Sequence, residues 1–224
     1  MGYLDEAGHR IVSDAVAEAE LQTSGEIVTV LADRSDGYTD VILLWAIGIA
    51  FTAMSIGALI PGAIFDTIDG LMGGWSHEWT PGEMMAWTSG LGLAFFLVVW
   101  LIFSFDPVRF RVIPGPIKLS RVRDAAVRHF KVGADRRTHG RTGILIYVSM
   151  REHRAEIVAD EAIATKVDAE VWGDAMADML VEIRQGRLAE GLAAGVRDVG
   201  AVLSEHFPRA EDDRNELPDR LIEV

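Results

Sequence analysis

The residues of this chain that could do chemistry are few and scattered. There is no Cys, which removes thiolate nucleophiles and thiolate metal sites. His129, His139 and His153 fall on a predicted helix, a loop and a turn, and read as surface histidines rather than as ligands of one zinc. Ser149, His153 and Asp160 lie close together in sequence, but neighbours on a hairpin do not form a triad, which needs a base held against the nucleophile by a third group. There is no Walker loop, no Gly-x-Ser-x-Gly elbow and no His-Glu-x-x-His helix. Arg136, Arg137, His139 and Arg141 make a basic loop. Two readings of it stand side by side: it binds an anionic lipid headgroup or phosphate, or it only reinforces cytoplasmic retention. Glu211, Asp212, Asp213, Glu216 and Asp219 lack the Gly hinge and ligand spacing of a calcium loop and read as a solvated acidic tail. The residues alone therefore nominate no catalytic group.

The elements that carry these residues are dominated by two apolar runs. Val41 to Phe65 is 25 residues long and Met84 to Phe105 is 22, and neither contains Asp, Glu, Lys, Arg or His. At 1.5 Å rise per residue each exceeds the ~30 Å hydrocarbon core of a bilayer, and neither has a polar face that would suit a soluble core helix. The first run begins forty residues into the chain, behind an acidic segment, which does not fit a cleaved signal peptide. Two transmembrane spans are expected, at about 41–64 and 85–105, joined by a loop over 65–84. Trp45 and Trp100 would share one interface and Trp87 would lie at the other. The connection from Asp66 to Glu83 holds no Lys or Arg, whereas Arg109, Arg111, Lys118, Arg121 and Arg123 follow the second run. The positive-inside bias puts the loop outside and both termini in the cytoplasm of a multi-pass membrane protein. Small residues recur at helical spacing on each span: Ala46, Ala50, Ala53 and Gly57 on the first, Ala86, Gly90 and Ala94 on the second. They are expected to pack the two helices on each other, with an oligomer or partner interface as the other use. Spans without ionisable residues do not make a proton or ion path. The 34 acidic against 21 basic residues, a net charge of −13, argue against nucleic acid as a partner.

The flanks read as α/β. Ile11, Val12, Ala15, Val16 and Ala19 form one helical face, with Asp5, Glu6, Asp14, Glu18 and Glu20 placed outside it, and Thr23-Ser24-Gly25 ends that helix. Glu26 to Ala32 is a β-branched run of strand length, and a polar turn from Asp33 to Asp40 leads into the first span. One helix and one strand cannot stand alone, so the strand's neighbours must come from beyond the hairpin. There, Pro107, Pro114, Gly115 and Pro116 predict an extended exit segment, followed by a basic helix over about Leu119 to Lys131. Gly143 to Ser149 and Ala155 to Ala159 read as an antiparallel pair. Asp168 is placed to cap a helix with an apolar stripe at Val171, Trp172, Met176, Met179, Leu180 and Ile183, which Gln185-Gly186 ends. A last helix carries Leu188, Leu192, Val196, Val199 and Leu203 inward. In the tail, Leu217, Leu221 and Ile222 offer an anchor on the domain or on a partner. The expected fold is α/β, a small mixed sheet covered by helices and split by an inserted two-span transmembrane hairpin. Residues 1–40 and 106–208 form the domain, 41–105 the hairpin and 209–224 the acidic tail.

The local words of this alternation resemble the TPM domain family: Thr23-Ser24-Gly25-Glu26-Ile27-Val28, then Arg141-Thr142-Gly143-Ile144-Leu145-Ile146-Tyr147-Val148-Ser149, Arg154 to Asp160, and Arg187-Leu188-Ala189-Glu190-Gly191-Leu192. The chain is similar in particular to a short bacterial membrane subgroup, through His206-Phe207-Pro208 and the run from Asp212 to Asp219. The resemblance implies a TPM-like fold in a protein of the bacterial inner membrane. For function it implies a range: acid phosphatases, calcium binders, auxiliary factors in photosystem repair and modulators of membrane receptors. A LemA-family membrane protein or a larger membrane complex is the kind of partner it suggests. If the chain binds Ca²⁺ or Mg²⁺, the resemblance points to Asp33, Asp160 and Asp168, although Arg141-Thr142-Gly143 stands where calcium-binding relatives carry an Asp-Asn-Gly turn. Two functions follow as expectations. The first is a membrane-anchored interaction, assembly or stability factor for a membrane protein, in the bilayer, without turnover or a required cofactor, with homo-oligomers as one arrangement. The second is a divalent-metal-dependent phosphatase.

Overall fold

The computed structural model describes residues 2–71, 78–133, 142–210 and 217–224. In chain order its elements are α1 (Glu6–Glu20), β1 (Glu26–Ala32), α2 (Thr39–Leu59), α3 (Pro61–Leu71), α4 (Pro81–Ser104), α5 (Asp106–Val112), α6 (Gly115–Gly133), β2 (Gly143–Ser149), β3 (Arg154–Ala159), α7 (Glu161–Ala164), α8 (Ala169–Arg184), α9 (Leu188–His206) and β4 (Ile222–Glu223). They form two compact units, one of Met1–Asp36 with Gly115–Val224 and one of Gly37–Pro114. The α/β unit is thus discontinuous in sequence, and its first strand precedes the helical unit.

In the α/β unit the sheet order is β3-β2-β1-β4. β1 runs parallel to β2, from Glu26 opposite Gly143 to Ala32 opposite Ser149, and parallel to β4, while β3 returns antiparallel to β2. β1 and β2 are buried along their whole length, because helices cover both faces. Side chains of Ile27, Leu31, Ile144 and Ile146 meet Val12 and Val16 of α1, Trp172 and Met179 of α8, and Leu192, Val196 and Val199 of α9. The alternate residues Val28, Val30, Leu145 and Tyr147 meet Val122, Ala126 and Phe130 of α6. Strands buried on both faces read as continuous apolar runs, and that is how they are written here. Gly186, at φ +83°, takes the left-handed conformation that closes α8, a position that suits glycine.

Several boundaries differ from expectation, each for a local reason. The prolines do not make an extended exit. Pro107 sits at the start of α5 and Pro116 in the first turn of α6, where the missing N–H is an orphan in any case. Pro61 ends the first apolar helix at Leu59 and opens α3, so the continuous span expected to 64 is broken. Asp168 occupies the N-cap position of α8 with extended backbone, but its side chain makes no capping hydrogen bond. Ile11 is 40 % exposed, and Glu20 lies on the buried face of α1 instead of outside it. Glu20 follows Val16 by four residues, about 40° around the helix, so the spacing itself carried that signal. The tail contributes the fourth strand, with Leu217 and Leu221 buried.

In the helical unit α2 and α4 are long and apolar enough to cross a membrane, and most of each is uncovered. They pack on each other through one of the two small-residue stripes. Ala46, Ala50 and Gly57 are buried and Ala53 is half-buried. Ala86, Gly90 and Ala94 are exposed, and α4 instead turns Gly92 and Val99 inward, with Gly92 seated against Met54. Gly92 is two residues from Gly90, about 200° around the helix. A helix that is apolar all round has no moment to choose between such faces. α4 begins with a reciprocal capping box in which Glu83 N–H donates to the Thr80 hydroxyl and Thr80 N–H to the Glu83 carboxylate. Phe65, Trp79 and Trp87 form a chain of ring contacts at 4.7 and 6.3 Å, and the Trp79 indole N–H donates to Asp69 at 3.3 Å.

Candidate functional site

The carboxyl ends of parallel strands are where open α/β sheets place ligands, and here those ends gather most of the polar side chains that the sheet presents. β1 delivers Asp33, Ser35 and Asp36 just past its last residue. β2 delivers Tyr147 and Ser149, and the turn after it delivers Arg151 and Glu152. Met150 N–H donates to Ala32 C=O and Arg151 N–H to Asp33 C=O, at 2.9 Å each, so the two loops leave the sheet together.

Inside this cluster the Glu152 carboxylate, 4 % exposed, accepts the Ser35 N–H at 2.9 Å through one oxygen and the Ser149 hydroxyl through the other. The Ser35 and Tyr147 hydroxyls are 3.1 Å apart. His129 of α6 stacks on the Tyr147 ring at 5.6 Å. Burial, with Arg128 nearby, lowers the His129 pKa and so favours the neutral imidazole, while burial raises the Tyr147 phenol. At the rim the Tyr3 hydroxyl donates to the Asp33 carboxylate, and Arg151 pairs with it at 3.1 Å. Tyr3 first, then Arg151, holds the Asp33 carboxyl below the usual carboxylate range. Arg121 of α6 pairs with Asp36 at 3.4 Å.

Chemically this is a self-satisfied network. A carboxylate beside a serine hydroxyl has the form of a base and a nucleophile, but Ser149 is 1 % exposed and Glu152 spends its second oxygen on backbone. Ser35, Tyr147 and Glu152 carry no motif that marks them in the sequence. The available signals were Tyr147 within an apolar strand and an acid three residues beyond Ser149 in a turn.

The three carboxylates tied to metal by resemblance are not brought together. Asp33 lies at the carboxyl end of β1. Asp160 follows β3 at the opposite end of the sheet, where its carboxylate accepts the Gly143 N–H at 3.0 Å and its own N–H donates to Gly143 C=O at 2.9 Å. It ties the start of β2 to the end of β3. Seven residues of strand separate the two ends, roughly 23 Å at 3.3 Å per residue. Asp168 is exposed at the start of α8. Among the described residues no three His, Asp or Glu side chains converge as a metal site. Arg136, Arg137, His139 and Arg141 lie outside the described residues.

Comparison with known proteins agrees with the fold. Residues 118–202 match the family model of the TPM domain. That stretch takes in most of α6, then β2, β3, α7, α8 and most of α9, and leaves α1, β1 and the helical unit outside it. The structure is similar to the NMR structure of the BA42 protein from the psychrophilic bacterium Bizionia argentinensis, with a TM-score of 0.57 and 18 % identity over 100 % of this chain and 97 % of that one. The shared property is the fold. No curated protein matches the chain.

Proposed function

We propose that this chain is a membrane-anchored TPM-type protein of the short bacterial subgroup, in which α2 and α4 cross the inner membrane and both termini face the cytoplasm. It serves as an interaction, assembly or stability factor for a partner membrane protein and has no turnover of its own. At 21 and 24 residues the two helices reach roughly 31 and 36 Å, enough for a bilayer core. The observation that carries the reading is the outward stripe of α4. Ala86, Gly90 and Ala94 with Trp87 and Leu91 line a shallow apolar groove that the hairpin does not use. In lipid, small residues at this spacing let a second helix approach closely. The self-paired groups at the carboxyl end of the sheet fit a contact surface better than a reaction centre.

The test is to extract the full chain from native membranes in mild detergent and compare it with the double variant Gly90→Leu, Ala94→Leu. A stoichiometric membrane protein that is present with the parent and lost with the variant, while a lipid-facing control such as Leu101→Phe retains it, is the expected result. Hydrolysis of p-nitrophenyl phosphate that needs Mg²⁺ or Ca²⁺ and disappears with Asp33→Asn would overturn the reading in favour of the phosphatase.

A further inference from the structure

The C-terminal residues Leu217–Val224 lie along the free edge of β1 and are held at both ends by carboxylates. Only Ile222 and Glu223 pair as strand, opposite Val30 and Leu31. Val224 N–H donates to Leu31 C=O at 3.0 Å, and the Val224 carbonyl oxygen accepts the Asp33 N–H at 2.8 Å. At the far end Glu223 accepts the N–H groups of Tyr3 and Leu4 at 3.0 and 3.1 Å and meets His9 at 3.1 Å. At the near end is a cavity of about 220 Å³ lined by Glu20 of α1, Glu26 of β1, Asp219 of the strap and Arg209. Glu26, 5 % exposed, accepts the Leu217 N–H at 3.1 Å. Glu20, 9 % exposed, accepts the Ile27 N–H at 2.8 Å and shares the cavity with the Asp219 carboxyl.

Two carboxyl groups can share a hydrogen bond only if one of them carries a proton. We propose that residues 217–224 form a proton-gated strap: with Glu20 protonated its O–H is shared with Asp219 and the strap stays on the β1 edge, and when Glu20 ionises the facing carboxylates of Glu20, Glu26 and Asp219 drive the strap off. Release uncovers the Leu31 carbonyl and Asp33 N–H of β1, which are the groups an added strand would pair with.

The chemistry of the pocket sets the direction. Burial above all, with the charges of Glu26 and Asp219, pushes the Glu20 carboxyl up to about 8, against the pull of the Ile27 N–H toward the charged form. Arg209, on the rim, is the cation among the pocket's lining residues. A released strap leaves Glu20 closer to an ordinary carboxylate, so the docked form binds the extra proton. Docking is therefore strongest at low pH and weakens as pH rises toward and through about 8. At the far end the His9–Glu223 pair is charged only when the imidazole is protonated.

The experiment is hydrogen–deuterium exchange of the full chain in mild detergent, read on the strap and on β2 between about pH 7 and about pH 9 and corrected for intrinsic exchange, a window above most histidine titration. Strap protection is expected to fall by up to about tenfold per pH unit, the limit for release of one proton, as pH rises toward about 8 and to level off above it, with β2 unchanged. Glu20→Gln keeps an acceptor for Ile27 and supplies a neutral donor to Asp219, so its strap should stay protected throughout. Asp219→Asn removes one of the charges that raise the Glu20 carboxyl and should move the transition to lower pH. A parent strap with flat protection, a Glu20→Gln strap that follows the parent, an unmoved transition in Asp219→Asn, or loss of strap and β2 together would each overturn the gate.

Discussion

The two units hold their apolar residues in opposite ways. In the α/β unit Leu31, Ile144, Leu192 and Leu203 are fully buried between a sheet and its covering helices. In the helical unit Leu44 is 71 % exposed, Phe51 64 % and Leu93 60 %. Residues of one chemical kind thus do two jobs: in one unit they are removed from solvent by folding, and in the other they form the surface. The difference teaches that hydrophobicity by itself does not tell a core residue from a facing one. Its distribution around the element does, and a helix apolar on every side has no such distribution.

The sharpest way to break that contrast is to make the same change in both units. Leu192→Ala in α9 removes a fully buried side chain and leaves a cavity among Ile27, Val196 and their neighbours. It should cost about 2–5 kcal/mol. Leu93→Ala on the exposed side of α4 opens no cavity and should leave the unfolding midpoint of the detergent-solubilised chain within about 0.5 kcal/mol of the parent. Urea titration followed by tryptophan fluorescence measures both. Equal losses from the two substitutions would mean that the outer face of α4 is covered in the solubilised protein.

A finer contrast uses glycine, where contact with backbone or with a flexible tip decides the sign. A Cβ on Gly191 of α9 would lie 2.8 Å from the Met179 carbonyl oxygen and 3.1 Å from the Ile183 nitrogen, both main-chain atoms of α8 that cannot move alone. Overpacking of this kind costs about 1–3 kcal/mol, and the ~1 kcal/mol gained in helix propensity offsets only part of it. Gly191→Ala should therefore lower stability. A Cβ on Gly92 of α4 would meet Met54 at Sδ and, at 2.6 Å, at Cγ. Both atoms belong to a methionine side chain with three rotatable bonds, which can swing away as a whole, and Gly92→Ala should be neutral or mildly stabilising. Thermal unfolding of the two variants gives the comparison, and a shift of the same sign in both would remove the distinction between the units.

What could be read from the sequence follows the same division. The strands were legible because Ile27-Val28-Thr29-Val30-Leu31 and Ile144-Leu145-Ile146-Tyr147-Val148 are continuous apolar runs of strand length, and α9 was legible because Leu192, Val196, Val199 and Leu203 repeat at helical spacing. The parallel partnership of β1 with β2 depended on knowing that a hairpin interrupts one domain. Which stripe of α4 faces α2 was not legible, since Gly90 and Gly92 differ by rotation and not by chemistry. The candidate site was legible least. Glu152 and Ser35 are joined across 117 positions, and nothing local marks either as the partner of the other. Asp33 and Asp160 read as a pair only by resemblance, and sheet topology sends them to opposite ends.

The smallest contrast concerns how helices begin. Thr80 and Glu83 cap α4 reciprocally within three residues, so the start of that helix is written locally. Asp168 stands in the same position of α8 without a side-chain hydrogen bond, and α8 is held by burial of Trp172, Ala175 and Met179 against the core. Thr80→Ala should cost about 1 kcal/mol, the ordinary worth of a cap, and should speed exchange of the Glu83 amide that the hydroxyl accepts. Asp168→Ala breaks no such bond. What it removes is a negative charge next to the first turn, worth about 0.3–1 kcal/mol through the helix dipole at low ionic strength and less with added salt. Measured in moderate salt, the Asp168 change should shrink toward zero while the Thr80 change persists, because one is screened electrostatics and the other a lost hydrogen bond. If Asp168→Ala instead costs as much as Thr80→Ala in salt, its carboxylate caps α8 in solution, and the start of that helix is set locally after all.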